Sequence, residues 1–180
     1  GVLVESDRVI GLHAWAGLPP GQVSVRGDAM MASADFFTLT VRGKGGHGAM
    51  PEATVDAIVI AAEIVTALQT LVSRETAPRA PVVVTLGSIH GGSAHNVIAG
   101  EVVIQGTLRS FDADLRRHLL RRSADLAEGI AQAMRGSCSF RHDTGTPPTI
   151  NDPAIAGLVA EAARGVLGDA AVVPFEPLMV

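Results

Sequence analysis

The segment that decides the fold is "ADFFTLTVRGKGGHGAMPEATVDAIVIAAEIVTALQTLVSR", residues 34–74. Residues 34–42 place apolar side chains at alternate positions, which is typical of a half-buried strand. Residues 54–74 place them at the three- and four-residue spacing of an amphipathic helix, for which Thr54 is the predicted N-cap. Between the two lies a glycine-rich loop that contains His47. The segment therefore predicts a strand and a helix joined by a glycine loop.

The rest of the central region continues this alternation of strands and helices. Further strands are predicted at residues 81–92, 101–111 and 137–145, and a second helix at residues 112–134. The order β-α-β-β-α-β is that of an α+β, ferredoxin-like sandwich, in which a four-stranded antiparallel sheet carries two helices on one face. Such a sheet leaves a strand edge free, which suits pairing with a second copy. The first helix is predicted to bury Ile58, Ala61, Ala62, Val65, Leu68, Gln69 and Val72.

The two ends of the chain differ from this central region. Residues 7–13 predict a buried strand that enters a Pro/Gly loop, and residues 153–168 predict a third helix. We therefore expect a lid domain, residues 31–146, inserted into a second domain of which residues 1–30 and 147–180 are stubs. Because both ends are apolar, strand-like runs that need neighbours, we expect the chain to be a segment of a longer protein.

The composition limits the partners and sites that the chain can offer. The formal net charge of -4 argues against binding to nucleic acid. No apolar run reaches the length of about 18 residues that a membrane span needs, so no membrane partner is expected. The single cysteine, Cys138, excludes an internal disulfide and fits a reducing compartment, so we expect a cytoplasmic protein. Neither His-x-x-x-His nor Cys-x-x-Cys spacing occurs, so spacing alone indicates no metal site.

Five motifs, taken together and in order, resemble those of the M20 metallopeptidase/amidohydrolase family. They are "GLHAWAGLPPGQV" (11–23), "GKGGHGAMPE" (43–52), "DAIVIAAEIVTALQTLVSRE" (56–75), "GGSAHNVIAG" (91–100) and "GTLRSFD" (106–112). The most similar branch is the aminoacylase-like one, which includes hippurate hydrolases and auxin-conjugate hydrolases. The resemblance implies a ferredoxin-like dimerisation lid inside an α/β, zinc-peptidase-like catalytic domain. The stubs at the two ends of the chain would then belong to that catalytic domain.

The resemblance also implies a role for four residues at matching positions. His13, in "GLH", corresponds to a ligand of a two-metal centre. His47 corresponds to a lid histidine that reaches across a dimer and donates a hydrogen bond to the oxyanion formed during amide hydrolysis. Asn96 and Arg109 correspond to residues that bind the carboxylate or polar end of the substrate. One departure is Ala99, at a position where the family usually has proline.

The glycines around His47 are expected to adopt positive φ angles and to let a substrate or a partner chain approach closely. A nucleotide-binding loop is excluded, because Lys44 is followed by glycine and not by serine or threonine. Without the resemblance, a plain hairpin-like turn that carries a solvent-exposed histidine would be the better explanation of the loop.

The function implied by the resemblance is hydrolysis of the amide bond of N-acyl amino acids, or of small peptide-like substrates, by metal-activated water in a homodimer. The resemblance also implies two divalent metal ions as cofactors, and these could be zinc, manganese or cobalt. The other metal ligands and the general base belong to motifs that this sequence lacks, so the chain alone is expected to be inactive and need not bind metal. The alternative is a non-catalytic ferredoxin-like module that dimerises or binds a small ligand. The motif "GLHAW", residues 11–15, favours the enzyme, because such a module has no reason to keep it.

Overall fold

The computed structural model describes residues 8–174 together with Glu176 and Met179. Within this part the chain divides into two compact units. Residues 31–148 form the larger unit, and residues 8–30 and 149–174 form the smaller one.

The larger unit is built on one four-stranded antiparallel sheet. Its strands are β1 (Ala34–Arg42), β2 (Val82–Gly91), β3 (Glu101–Ser110) and β4 (Ser137–Thr146), in the spatial order β2-β3-β1-β4. Helix α1 (Ala57–Ser73) connects β1 to β2, and helix α2 (Ala113–Ala133) connects β3 to β4. This confirms the predicted β-α-β-β-α-β order and the ferredoxin-like α+β class.

Both helices cover the same face of this sheet, as predicted. Alternate side chains of β1, namely Phe37, Leu39 and Val41, are buried in one cluster with Ile104 of β3. Burying each such side chain contributes about 1.5–3 kcal/mol to the free energy of folding. The helices complete the cluster with Ala57, Ile60, Ala61, Ile64, Leu68, Leu71, Leu119, Ala127 and Ala131.

Helix α1 is capped by Asp56 and not by Thr54, so the predicted N-cap is wrong. The carboxylate of Asp56 accepts a hydrogen bond from the backbone N–H of Ile58 at 2.9 Å. Thr54 lies outside the helix because the next residue, Val55, pairs with Lys44 in an isolated antiparallel bridge. That pairing holds the backbone extended up to the true cap, where an aspartate is equally suitable.

The face that α1 buries is also shifted from the predicted one. Of the predicted residues, Ala61 and Leu68 are buried and the two valines are half-buried, whereas Ile58 is 47% exposed. The helix carries apolar residues on more than one face, so their spacing alone did not determine which face meets the sheet. The residues that α1 buries are Ala57, Ile60, Ala61, Ile64, Leu68 and Leu71.

A cluster of ionisable side chains around the buried Asp35 joins β1, α2 and β4. Asp35, which is fully buried, accepts hydrogen bonds from Nε and Nη2 of Arg116, both at 2.7 Å. Nε2 of His142 lies 2.8 Å from the same carboxylate. Burial alone would raise the pKa of Asp35, but the hydrogen bonds and charge of Arg116, with the help of His142, outweigh it and lower that pKa. A side chain at Gly145 would overlap this cluster.

The smaller unit contains the third helix and two short strand pairs. Helix α3 (Pro153–Leu167) confirms the predicted helix; Asp152 caps it, and Gly168 ends it with a φ of 87°. The prediction of a strand at residues 7–13 is wrong where it can be compared with the structure. Residues 8–13 form no strand and expose their apolar side chains, and residue 7 lies outside the described residues. No described segment pairs with this run, so it lacks the neighbour that a strand needs. The pairs are Val23–Ser24 with Val172–Val173 and Asp28–Met31 with Thr149–Asn151.

The described residues also form two single-turn 3₁₀ helices, Pro51–Ala53 and Asp169–Ala171, and two paired two-residue strands, Gly46–His47 and Val97–Ile98. None of the helices in that part combines the length and the apolar character that crossing a bilayer requires.

Candidate functional site

The glycine loop, residues 43–50, lies alongside the segment that precedes β3. The backbone N–H of Gly43 donates to the carbonyl oxygen of Gly100 at 2.9 Å, and that of Gly48 donates to the carbonyl oxygen of Asn96 at 2.8 Å. Between these bonds, the short strands Gly46–His47 and Val97–Ile98 pair in an antiparallel manner. The loop is therefore fixed by backbone hydrogen bonds and forms a narrow ribbon with its neighbour.

The glycines of this loop are required for close backbone packing. The predicted positive φ angles are wrong, because none of the four glycines in the loop has one. A Cβ atom at Gly43 would overlap the carbonyl oxygen of Val55, and one at Gly48 would lie 2.9 Å from the carbonyl oxygen of Asn96. The chain that approaches these glycines closely is thus the protein's own backbone.

Replacing Gly43 by alanine is expected to lower the free energy of unfolding by about 1–3 kcal/mol, because the added methyl group forces the loop away from Val55. The matched control is Gly129→Ala, an exposed position near the end of α2, where no atom other than those of the adjacent helix backbone lies within 4 Å of the new methyl group. There alanine should raise the free energy of unfolding by about 0.8–1 kcal/mol through its helix propensity. Urea denaturation measures both variants, and equal changes of the same sign would contradict this account.

His47 is presented by the ribbon with its side chain exposed to solvent. Nδ1 of the ring accepts a hydrogen bond from the backbone N–H of Ala49 at 3.1 Å. The carbonyl oxygen of His47 accepts another from the N–H of Met50 at 2.9 Å. Within the described part of the chain Nε2 makes no hydrogen bond, so it is the ring nitrogen left available to a ligand.

The structure brings Asn96 next to His47 but places Arg109 elsewhere. Asn96 immediately precedes Val97, which pairs with His47, and its side chain is exposed. Arg109 lies near the far end of β3, eight residues beyond Glu101. At about 3.3 Å for each residue of a strand, that distance is roughly 26 Å. Within one chain, Arg109 and His47 therefore lie too far apart to contact the same small molecule.

Arg109 is held on the face of the sheet that the helices leave free. Its guanidinium lies 5.3 Å from the centre of the Phe36 ring, in a cation–π contact. Nη1 donates to the carbonyl oxygen of Leu108 at 3.2 Å and to the hydroxyl of Thr107. These contacts fix the stem and one edge of the guanidinium and leave it half-exposed, as a group that binds a carboxylate needs.

His13 lies in the smaller unit and is exposed. Its Nδ1 donates to the carbonyl oxygen of Ala14 at 2.7 Å, and its ring meets that of Trp15 edge-on, with the ring centres 5.8 Å apart. The neutral ring then has its lone pair on Nε2, which is the form that binds a metal ion. Among the described residues no group of three or more His, Cys, Asp or Glu side chains could hold a metal, so His13 fits only as one ligand of a larger set.

An open cavity of about 360 Å³ lies beside the glycine loop. Most of its lining consists of glycine backbone and small or apolar side chains, and it contains one hydroxyl, one carboxylate and no cation. Such a lining accepts an uncharged group better than an anion. The lining residues are Gly45, Gly46, Gly92, Ser93, Val97, Ile98, Ala99, Gly100 and Glu101.

Cys138 is a poor candidate for a nucleophile. Burial, reinforced by the negative charge of Glu128, raises the pKa of its thiol to about 11. The thiol is therefore protonated at neutral pH, whereas the thiolate is the reactive form.

Comparison with known proteins identifies the family. The sequence model of the M20 family's peptidase dimerisation domain matches residues 33–134, which is more than half of the chain. The chain belongs to the M20 peptidase family. The matched range contains the whole of β1, β2, β3, α1 and α2, and with them the glycine loop of His47.

Known proteins resemble nearly the whole chain. An N-acyl-L-amino acid amidohydrolase from Geobacillus stearothermophilus is 44% identical, over 91% of this chain and 45% of its own length. IAA-amino acid hydrolase ILR1-like 4 from Arabidopsis thaliana is 37% identical, over 99% of this chain and 42% of its own. The crystal structure of a dinuclear metal-binding M20 peptidase from Bacillus subtilis superposes with a TM-score of 0.71 at 25% identity, over 93% of this chain and 41% of that one. The chain thus spans less than half the length of these relatives.

Two features of the structure, one in the site and one in the core of the larger unit, have no signal in the sequence. The contact of Ala49 with the His47 ring is made by a backbone N–H, which every residue except proline has. The partners of Asp35 come from positions 81 and 107 residues further along the chain, so only the folded sheet brings them together.

Proposed function

We propose that the chain is part of a metal-dependent amidohydrolase that cleaves the amide bond of N-acyl amino acids. The observation that carries this proposal is the His47 loop, which presents an Nε2–H donor from the dimerisation domain of an M20 protein. The names of the relatives support it, since they include an N-acyl-L-amino acid amidohydrolase, an N-acetyl-L-cysteine deacetylase and an IAA-amino acid hydrolase.

Two divalent cations, when bound, would supply an activated water and polarise the amide carbonyl. His13 is proposed as one ligand through Nε2, because its Nδ1 already donates to the backbone. The other ligands would come from parts of the protein beyond this chain. Imidazole binds zinc, manganese and cobalt, so the presence of a histidine ligand does not determine which of these metals is bound.

His47 is proposed to donate its Nε2–H to the oxyanion that develops when the amide carbonyl is attacked. We propose further that it does so in the active site of a second copy. Asn96, next to it on the ribbon, is proposed to contact the polar end of the substrate, and Arg109 to bind its carboxylate. Since Arg109 lies about 26 Å from the His47 loop along β3, one small substrate meets both only if they come from different chains.

The proposed homodimer forms through the edge of the sheet at β2 together with the exposed side of α1. Ile58 and Val59 of α1 and Ile89 of β2 are each about half exposed, although all three are large and apolar. Covering such side chains and pairing a free strand edge favour association with a second copy. In this proposal, residues 31–146 form the dimerisation lid, and residues 1–30 and 147–180 belong to the catalytic domain.

Purified full-length protein should release free amino acid from N-acetyl and N-benzoyl amino acids and should lose this activity on treatment with a chelator. Addition of zinc, manganese or cobalt in turn should restore it and identify the metal. Full-length protein that binds metal but hydrolyses none of these amides would contradict the proposal. A dimer that neither binds metal nor hydrolyses amides would instead support a non-catalytic dimerisation or ligand-binding module.

Replacing His13 by alanine in the full-length protein is expected to lower the affinity for metal at least about ten-fold. Mutation of residues that only hydrogen-bond to metal ligands already causes a loss of this size. Elemental analysis after gel filtration measures the bound metal. The matched control is His118→Ala, on the exposed side of α2, which should keep its full metal content. Equal metal content in the two variants would show that His13 is not a ligand.

A further inference from the structure

Three successive backbone N–H groups hold the turn around His47, and one of them contacts its ring. The N–H of Gly48 donates to the carbonyl oxygen of Asn96, and the N–H of Met50 donates to the carbonyl oxygen of His47. Between them, the N–H of Ala49 donates to Nδ1 of the imidazole at 3.1 Å. Within the described part of the chain, this is the one hydrogen bond that the ring makes.

We propose that the backbone N–H of Ala49 is a positioning group for His47 and fixes the neutral ring with its proton on Nε2. An imidazole nitrogen that accepts a hydrogen bond must carry a lone pair, so the proton resides on the other nitrogen. The same bond fixes the ring orientation, because a ring flipped about χ2 would present a C–H group to the N–H of Ala49. This inference rests on the proposed role of His47 as an oxyanion donor.

The positioning has a direct consequence for catalysis. An exposed imidazole without such a bond would populate both tautomers and both ring orientations, and only some of these would aim an N–H at the substrate. With the ring fixed, the donor is in place before charge develops, and no reorganisation is needed during the reaction. The donor also persists when the ring is neutral, so a contribution from His47 does not require an imidazolium.

Nitrogen NMR of the 180-residue chain with ¹⁵N-labelled histidine tests the proposal at about pH 9, where histidine side chains are ordinarily neutral. In the wild type, Nδ1 of His47 should show the shift of an unprotonated nitrogen and Nε2 that of a protonated one. Ala49→Pro lacks the N–H and should reduce the tautomer ratio about five-fold, the effect of one ordinary hydrogen bond. Ala49→Gly keeps the N–H and should keep the wild-type ratio.

A wild-type ring with its proton on Nδ1, or a ratio that is unchanged in Ala49→Pro, would overturn the proposal. If the proline variant does not fold, replacement of Ala49 by lactic acid removes the same N–H as an ester and keeps the side chain. This experiment distinguishes failure of the positioning proposal from failure of the proposed catalytic role of His47. A fixed tautomer with normal turnover in His47→Ala would defeat the catalytic role alone, and a mobile ring with lost turnover in His47→Ala would defeat the positioning alone.

Discussion

Replacing His47 by alanine in the full-length protein is expected to lower kcat for N-acyl amino acids by about 10²- to 10³-fold, the loss caused by removing one oxyanion donor. The expectation follows from the geometry of the loop. The ribbon fixes the backbone on both sides of His47, and the N–H of Ala49 leaves the proton of the neutral ring on Nε2. Such a donor acts on charge that develops in the transition state, so kcat should fall more than KM rises.

The metal content separates this role from that of a ligand. His47→Ala should retain the wild-type amount of metal, because neither the loop nor its neighbours form a group of metal-binding side chains in the described part of the chain. His118→Ala, on α2, is the matched control and should keep both kcat and metal content. Wild-type turnover in His47→Ala would show that the loop plays no part in catalysis.

Replacing Arg116 by methionine is expected to lower the free energy of unfolding by about 3–5 kcal/mol at neutral pH, the cost of removing one partner of a buried ion pair. The Asp35 side chain is 0% exposed and loses both of its 2.7 Å bonds to the guanidinium. Methionine keeps the unbranched apolar stem of arginine, so the loss reports mainly on the charge and hydrogen bonds of the guanidinium. Urea denaturation of the 180-residue chain measures it.

A second arginine of α2 provides the control. Arg122 binds Glu75 with the same two-bond geometry, at 2.9 Å for each bond, but both side chains are about one-third exposed. Because solvent screens such a pair, Arg122→Met should lower the free energy of unfolding much less than Arg116→Met does. Similar losses for the two arginines would contradict the importance assigned to burial.

The Asp35 cluster should also make stability depend on pH in the acid range. Arg116, the main favourable partner, lowers the pKa of Asp35 in the folded state below the value of about 3.9 that an aspartate has in an unfolded chain. The stabilisation is therefore present above that unfolded value and is lost as the pH falls through the lower pKa of the folded state. We expect the difference between wild type and Arg116→Met to shrink when unfolding is measured below about pH 4.

The order of the elements in the larger unit was predictable because its strands and helices carry clear periodic patterns. The alternation in residues 34–42, for example, fits one orientation of the strand against a core. Helix α1 was harder, because apolar residues such as Ile58 and Val59 also occupy its exposed side. Its N-cap was missed because the pairing of Val55 with Lys44 is a tertiary contact that competes with an earlier helix start.

The candidate site was predictable in its residues but not in its geometry. Motif resemblance selected His47, Asn96 and Arg109, yet only the strand register shows that the first two are neighbours and the third lies at the other end of β3. The glycines were assigned to positive φ angles, whereas they are needed because two backbone segments pack too closely for side chains. Such packing depends on residues that are distant in sequence.

The central claim is that His47 acts in the active site of a second copy, and subunit complementation tests it most directly. Inactive His47→Ala protein is mixed with inactive His13→Ala protein, and heterodimers are verified by mass spectrometry. Each heterodimer then contains one site with both its metal ligand and its lid histidine. Random pairing makes about half of the dimers mixed, so roughly a quarter of wild-type activity should return. Verified heterodimers without any recovered activity would contradict the account.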